Sequence, residues 1–274
     1  MFEECDNLQK APALPAETLA VSCYEYMFAG CALIDSVPLL PAIKLKESCY
    51  ANMFTDCSNL KFIKLPALVL ADSCYAGMFA GCVSVLDPPN LPAHNLTRYC
   101  YASMFKGCSF YYAPEMEAIT AAEYCCTSMF ENCTKLSRTA KADVYAIEEG
   151  CFEYMYRGCT NLAEADISEA ELKKNCYHGM FSGCESMNYI RVGIMTLDND
   201  LDATLDWVDG VDGEGLFVFP CGSRYDKHGY SEVPPNFEIK SSPIIIFQNP
   251  DGTELWRDTT DCEHVPEYKG PTPT

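Results

Sequence analysis

CYASMFKGCSFYY, Cys100 to Tyr112, sets two cysteines eight residues apart around a Met-Phe pair and closes on three aromatics. Aligned on its first cysteine, the stretch recurs as CYEYMFAGC at Cys23, CYANMFTDC at Cys49, CYAGMFAGC at Cys74, CCTSMFENC at Cys125, CFEYMYRGC at Cys151 and CYHGMFSGC at Cys176. Successive starts lie 26, 25, 26, 25, 26 and 25 residues apart. A fixed period of this length is the signature of a solenoid, in which one coil cannot bury its apolar face alone and does so against its neighbours.

The alignment rows assign each position a task. The Met row (Met27, Met53, Met78, Met104, Met129, Met155, Met180) and the Phe row beside it are apolar throughout, so both point inward. The row before the second cysteine holds only Gly, Asn or Asp. These residues tolerate left-handed backbone, which predicts a short helical turn ending there. Three residues past the second cysteine come Ile34, Leu60, Val85, Tyr111, Leu136, Leu162 or Met187, opening a segment read as one parallel strand per coil. Returns such as LPAIKLKES and LPALVLADS follow, with Leu turned inward and Pro suppressing regular structure. The expected fold is an α/β solenoid, a right-handed, leucine-rich-repeat-like stack with one short strand and one short helical turn per 25–26-residue repeat.

The pattern CYxxMFxGCxxL followed by LPAxxL resembles the BspA-like leucine-rich-repeat surface proteins, common in gut bacteria and found in some mucosal protists. The likeness covers residues 1 to about 195. Cys126 replaces the usual Tyr, and LPA is lost after Cys108, Cys133 and Cys159, where irregular coils are expected. The resemblance implies an exported, cell-surface-attached, non-enzymatic protein that binds a host or microbial protein or glycan.

Past Cys184 the cysteine register fails. Residues 196–240 read as a capping unit, with helix-capable DATLDWVDGV and with Trp207, Val208 and Phe217 closing the core. Residues 241–274 hold two β-runs around Asp251-Gly252, a hairpin similar to the start of small β-rich repeats in bacterial surface proteins. Met1 falls partway through a repeat, which reads as a fragment whose upstream repeats, export signal and anchor lie outside it.

Composition excludes some functions. The chain has 274 residues, 49% of them hydrophobic, enough for a core. Asp plus Glu number 39 against 19 Lys plus Arg, a formal net charge of -20 that repels phosphate backbones and anionic membranes. No nucleic-acid partner and no direct membrane insertion are expected, since no apolar run approaches the roughly 18 residues of a membrane span.

The cysteine ladder (Cys23, Cys31, Cys49, Cys57, Cys74, Cys82, Cys100, Cys108, Cys125, Cys133, Cys151, Cys159, Cys176, Cys184) admits three readings. Zinc needs converging ligands, which identical pairs along a rod do not supply. Same-row cysteines about 4.8 Å apart sit slightly beyond disulfide geometry, leaving an intracoil disulfide as the alternative to free, buried thiols packing as small hydrophobes. Asp198, Asp200, Asp202, Asp206 and Asp209 suggest a calcium loop, but Ala203 stands where such a loop needs Gly, and acidic capping accounts for the same residues. No catalytic constellation, carbohydrate-processing carboxylate pair or cofactor motif is visible, so neither enzyme activity nor a cofactor is expected.

Recognition is expected on the strand face. Positions two and four past the second cysteine face outward there, among them Lys61, Leu86, Phe110, Tyr112 and Lys135. Phe110 and Tyr112 are the largest and are read as ligand anchors, the other reading being packing against a neighbouring loop or another copy. The function expected from these features is surface recognition or adhesion; the alternative is a structural spacer or phage-fibre segment without a ligand of its own.

Overall fold

The computed structural model describes residues 2–140, 144, 146–168, 170–194, 202–223, 225 and 227–241, with the backbone of strands at 245–248 and 254–258. Among these there is no α-helix, and the expected helical turn is replaced by a run of linked turns. In the first coil the N–H groups of Glu25, Met27, Ala29 and Cys31 each donate to the carbonyl three residues back. The alternating N–H groups of Ser22, Tyr24, Tyr26, Phe28 and Gly30 donate instead to carbonyls of Glu47, Cys49, Ala51, Met53 and Thr55 in the next coil. From Tyr24 to Cys31 every donor is thereby paired, alternately within the coil and along the solenoid axis. A helix would keep all of them within the coil and leave neighbouring coils joined by side chains alone.

This geometry needs a left-handed residue at every fourth position. Ser22, Tyr26 and Gly30 have φ of 51°, 52° and 72°, and the same three positions recur in the later coils. Tyr26 and Gly30 occupy the third place of their turns, the position that is left-handed in a type II turn. The Gly/Asn/Asp row is left-handed as its composition predicts. The other two rows carry Ser, Asn and even Tyr at a cost of about 1–2 kcal/mol per residue relative to ordinary backbone.

Side chains stacked along the axis offset that strain. Phe2, Phe28, Phe54, Phe79, Phe105, Phe130, Tyr156 and Phe181 form a continuous column with ring centroids 5.3–6.0 Å apart and planes within 18° of parallel. A second column, Tyr24–Tyr50–Tyr75–Tyr101, breaks where Cys126 replaces Tyr and resumes at Phe152–Tyr177. Each fully buried ring contributes about 1.5–3 kcal/mol by leaving water.

Strands form in two columns. After the second cysteine, β4 (Glu164–Ile167), β5 (Tyr189–Val192), β6 (Gly215–Phe219) and β7 (Phe237–Ser241) pair in parallel, in that order. In the first coils this column is reduced to isolated contacts such as Ser36 with Phe62. Pro38, Pro66, Pro88 and Pro89 follow closely there and withhold N–H groups, whereas residues 160–190 contain no proline. The second column lies in the return before the first cysteine: β1 (Asn95–Leu96), β2 (Thr120–Ala121) and β3 (Ala146–Ile147), also parallel. One strand per coil after the second cysteine is therefore not the pattern. β8 (Ile245–Gln248) and β9 (Glu254–Asp258) pair antiparallel, as expected of the hairpin.

The turn-run frame outlasts the cysteines. Tyr177, Gly179, Phe181 and Gly183 donate to carbonyls of Ala203, Leu205, Trp207 and Asp209, so DATLDWVDGV is an eighth turn run and not a helix. Ala203 and Val211 stand in the cysteine positions, and Trp207, Val208 and Phe217 are fully buried. The segment around Ser231 then closes the ladder: its hydroxyl accepts from the Asp206 N–H at 2.9 Å and the Tyr230 carbonyl accepts from Val208 at 3.1 Å.

Within the Tyr column the Tyr75 hydroxyl is buried without a hydrogen-bond partner. Phe152 fills the equivalent place in a later coil, so the position accepts a plain ring. Tyr75→Phe is expected to raise unfolding stability by about 1–2 kcal/mol, the penalty of an unpaired buried hydroxyl, measured by urea denaturation.

Candidate functional site

The aromatic tail of the opening stretch slips by one residue. In six coils the core position is the third residue past the second cysteine, and Ile34, Leu60, Val85, Leu136 and Leu162 are all fully buried there. In the fourth coil Phe110, at the second position, fills the core instead, edge-on to Phe105 with centroids 5.2 Å apart. The backbone confirms the slip. Lys61 donates to the Asp35 carbonyl, fourth position to fourth, but Ser137 donates to Tyr111, fourth to third. Phe110 is therefore removed from the candidate anchors. Tyr111, expected inside, is 55% exposed, beside Tyr112 at 51%.

The slip assembles an apolar edge across three coils. Phe62 (72% exposed) and Leu86 (48%) lie on the two preceding coils in the column that Tyr111 and Tyr112 continue. The Tyr112 hydroxyl donates to Asp87 at 3.1 Å, and this carboxylate holds the phenol above its usual range. The Lys135 ammonium lies 5.9 Å from the Tyr111 ring centroid, within cation–π range, and Lys61 is exposed next to Phe62. Phe62 escaped the sequence reading because it is five residues past its cysteine, outside the two rows taken to face solvent. Tyr111 escaped it because three consecutive aromatics carry no hydrophobic contrast to set the register.

The described ladder cysteines are free, and all of them except exposed Cys23 are buried. The second-cysteine row has a directed contact. Cys57, Cys82, Cys133 and Cys159 donate their S–H at 3.1 Å to the Phe carbonyl of the preceding coil. That carbonyl already accepts a turn bond within its own coil, so the thiol meets its second lone pair. An intracoil disulfide would remove this donor. Burial pushes the thiols of Cys57, Cys133 and Cys184 up to about 12, so they remain protonated and poorly nucleophilic.

The remaining candidates are accounted for by the fold. Among the described residues no group of His, Cys, Asp or Glu is arranged to hold a metal. Asp198 and Asp200 lie outside the described residues. Asp202 and Asp206 occupy left-handed positions of the eighth turn run at φ 51°, the positions held by Asn175 and Gly179 one coil earlier. His178 bonds Glu153 through Nδ1 at 3.0 Å and the Tyr154 hydroxyl through Nε2 at 3.1 Å, a surface network the sequence did not announce. A cavity of about 50 Å³ opens among Met116, Thr139, Val144, Phe152, Met155 and Ile167, where LPA is missing. Its volume suits a few water molecules and falls well short of the roughly 300 Å³ of a ligand pocket.

The BspA-type leucine-rich repeat family model matches residues 1–111 and 102–200, in six copies. The chain belongs to this family. BspA-type proteins are typically surface-associated in bacteria. A leucine-rich repeat protein from Bacteroides ovatus, solved by crystallography, is 16% identical over 79% of this chain and 80% of that one, with a TM-score of 0.23, too low to carry an argument. A search of curated proteins found no match.

Three measurements check this BspA-type core. Phe110→Ala is expected to destabilise by about 3–5 kcal/mol as a core truncation, and Tyr111→Ala by less than about 1 kcal/mol, both read by urea denaturation. In the native protein a thiol reagent at neutral pH is expected to label Cys23 and spare the buried ladder, which reacts only after denaturation. Stability is also expected to fall as pH rises from the ordinary thiol value of 9.0 toward about 12. In that window the unfolded chain releases protons that the folded chain retains, at about 1.4 kcal/mol per pH unit for each such thiol.

Proposed function

We propose that this chain is a non-enzymatic recognition module of the bacterial surface, binding a protein or glycan through the edge formed by Phe62, Leu86, Tyr111 and Tyr112. The observation that carries the reading is four large apolar side chains, all about half exposed or more, on neighbouring rows of three successive coils that have a filled core without them. Exposed aromatics rimmed by cations are typical anchors, because they bury large area at little cost in side-chain entropy. Lys61 and Lys135 are placed to orient an acidic or hydroxyl-rich partner.

Surface display is compatible with the cysteine chemistry. Cys221 is disulfide-bonded, which fits an oxidising compartment. The ladder thiols other than Cys23 are protected there by burial and raised pKa. Among the described residues no helix is long and apolar enough to cross a membrane.

Wild type and Tyr111→Ala/Tyr112→Ala, both confirmed folded by circular dichroism, should be compared on arrays of glycans and extracellular-matrix proteins. Loss of about 2 kcal/mol, roughly thirtyfold in Kd, is expected for the double variant on the array feature that wild type binds. Equal binding by both would place the ligand on another face, and silence of wild type on every feature would favour the spacer reading.

A further inference from the structure

A second exposed surface lies in the return segments of the first coils. Residues 36–70 carry Lys44, Lys46, Lys61 and Lys64 against Glu47 and Asp56, four minus two or +2, so the rest of the chain holds -22 of the net -20. Among the described ion pairs none involves Lys44, Lys46 or Lys64. Leu39, Ile43, Leu68 and Val69 stand out between these lysines at 76%, 59%, 56% and 51% exposure. Ile43, Leu68 and Val69 are neighbours across coils: the N–H groups of Leu68 and Val69 both donate to the Ile43 carbonyl at 3.1 Å.

The fold does not require apolar residues there. Leu40, Ala42, Leu45, Leu65, Ala67 and Leu70 fill the core from the same segments. One coil later His94 and Asn95 take the places of Leu68 and Val69, and both are exposed. The apolar face is thus additional to what the solenoid needs, and its lysines select an acidic occupant with apolar content.

The chain itself carries a surface of that chemistry. In the eighth turn run and the segment that closes it, Leu205 and Tyr230 are 38% and 42% exposed beside exposed Asp206, Asp209, Asp212 and Glu214. We infer that a second copy of this chain docks its Leu205–Tyr230 acidic surface on the Leu39–Val69 basic face. Such a contact uses different surfaces on the two partners, so each copy retains one free surface of each pair and assembly continues head to tail. At physiological salt the repulsion of the whole chains is screened beyond about 8 Å, while the facing patches attract within that distance.

Sedimentation velocity of the full chain at physiological salt, over a range of concentrations, tests this. Wild type is expected to self-associate with concentration. Lys44→Glu/Lys46→Glu/Lys64→Glu and Asp209→Lys/Glu214→Lys are each expected to weaken association about a hundredfold or more, since each sets like charges across the contact. Mixing the two variants should restore association, because the intact acidic surface of one meets the intact basic face of the other and the two reversed surfaces are again opposite in charge. Tyr111→Ala/Tyr112→Ala should associate as wild type does, which separates this contact from the recognition edge. A wild type that stays monomeric, variants that associate undiminished, or a mixture that remains monomeric would each overturn the inference, with circular dichroism confirming that every variant is folded.

Discussion

The alternation of hydrogen-bond direction in each turn run is the constraint on which the rest of the molecule depends. One N–H closes a turn within the coil and the next reaches the neighbouring coil, as for Met27 to Tyr24 and Phe28 to Met53. Those axial bonds fix the stacking distance, and the stacking distance places Phe28 over Phe54 and Tyr50 over Tyr75 close enough to stack. The second-row thiols belong to the same scheme. A small, weakly donating group fits beneath the Phe carbonyl of the preceding coil, where a larger side chain would push the coils apart and an alanine would leave the lone pair unmet.

The scheme has a conformational cost that the sequence distributes. Glycine, Asn and Asp absorb it in the row before the second cysteine, but Tyr99, Tyr124 and Tyr154 are also left-handed, at φ 54–55°. Their rings are used on the outer face: Tyr99 stacks on Tyr124 at 5.2 Å, and Tyr154 lies under the Arg157 guanidinium and against His178. The same alternation explains the end of the stack. Axial donors of the last run need acceptors, and Ser231 and Tyr230 supply them where another coil would otherwise follow.

The proposed function and the proposed self-contact both rest on departures from the repeat. The missing residue between Cys108 and Phe110 costs the fold nothing, since Phe110 reaches the core and packs on Phe105. It exposes Tyr111 and Tyr112 together, next to Phe62 and Leu86 from the neighbouring coils. The basic apolar face around Ile43 and Lys44 is a second departure, on the return segments of the first coils. A solenoid permits both because its core rows and its surface rows are set independently, coil by coil.

The period, the family, the inward rows and the closure by Trp207 and Phe217 were legible in the sequence, because burial leaves a repeating mark on residue choice. Two features were not. Cys100, Met104 and Cys108 recur every fourth residue, and that spacing suits one face of a helix as well as a run of turns with every fourth residue left-handed. Which of them forms depends on where the N–H of Ser103 points, and its acceptor is the Thr127 carbonyl of another coil. The register at Phe110 was equally undetermined, since Phe110, Tyr111 and Tyr112 are each able to fill an apolar site. The space left by the leucines and valines of adjacent coils admitted Phe110 and turned the two tyrosines to solvent.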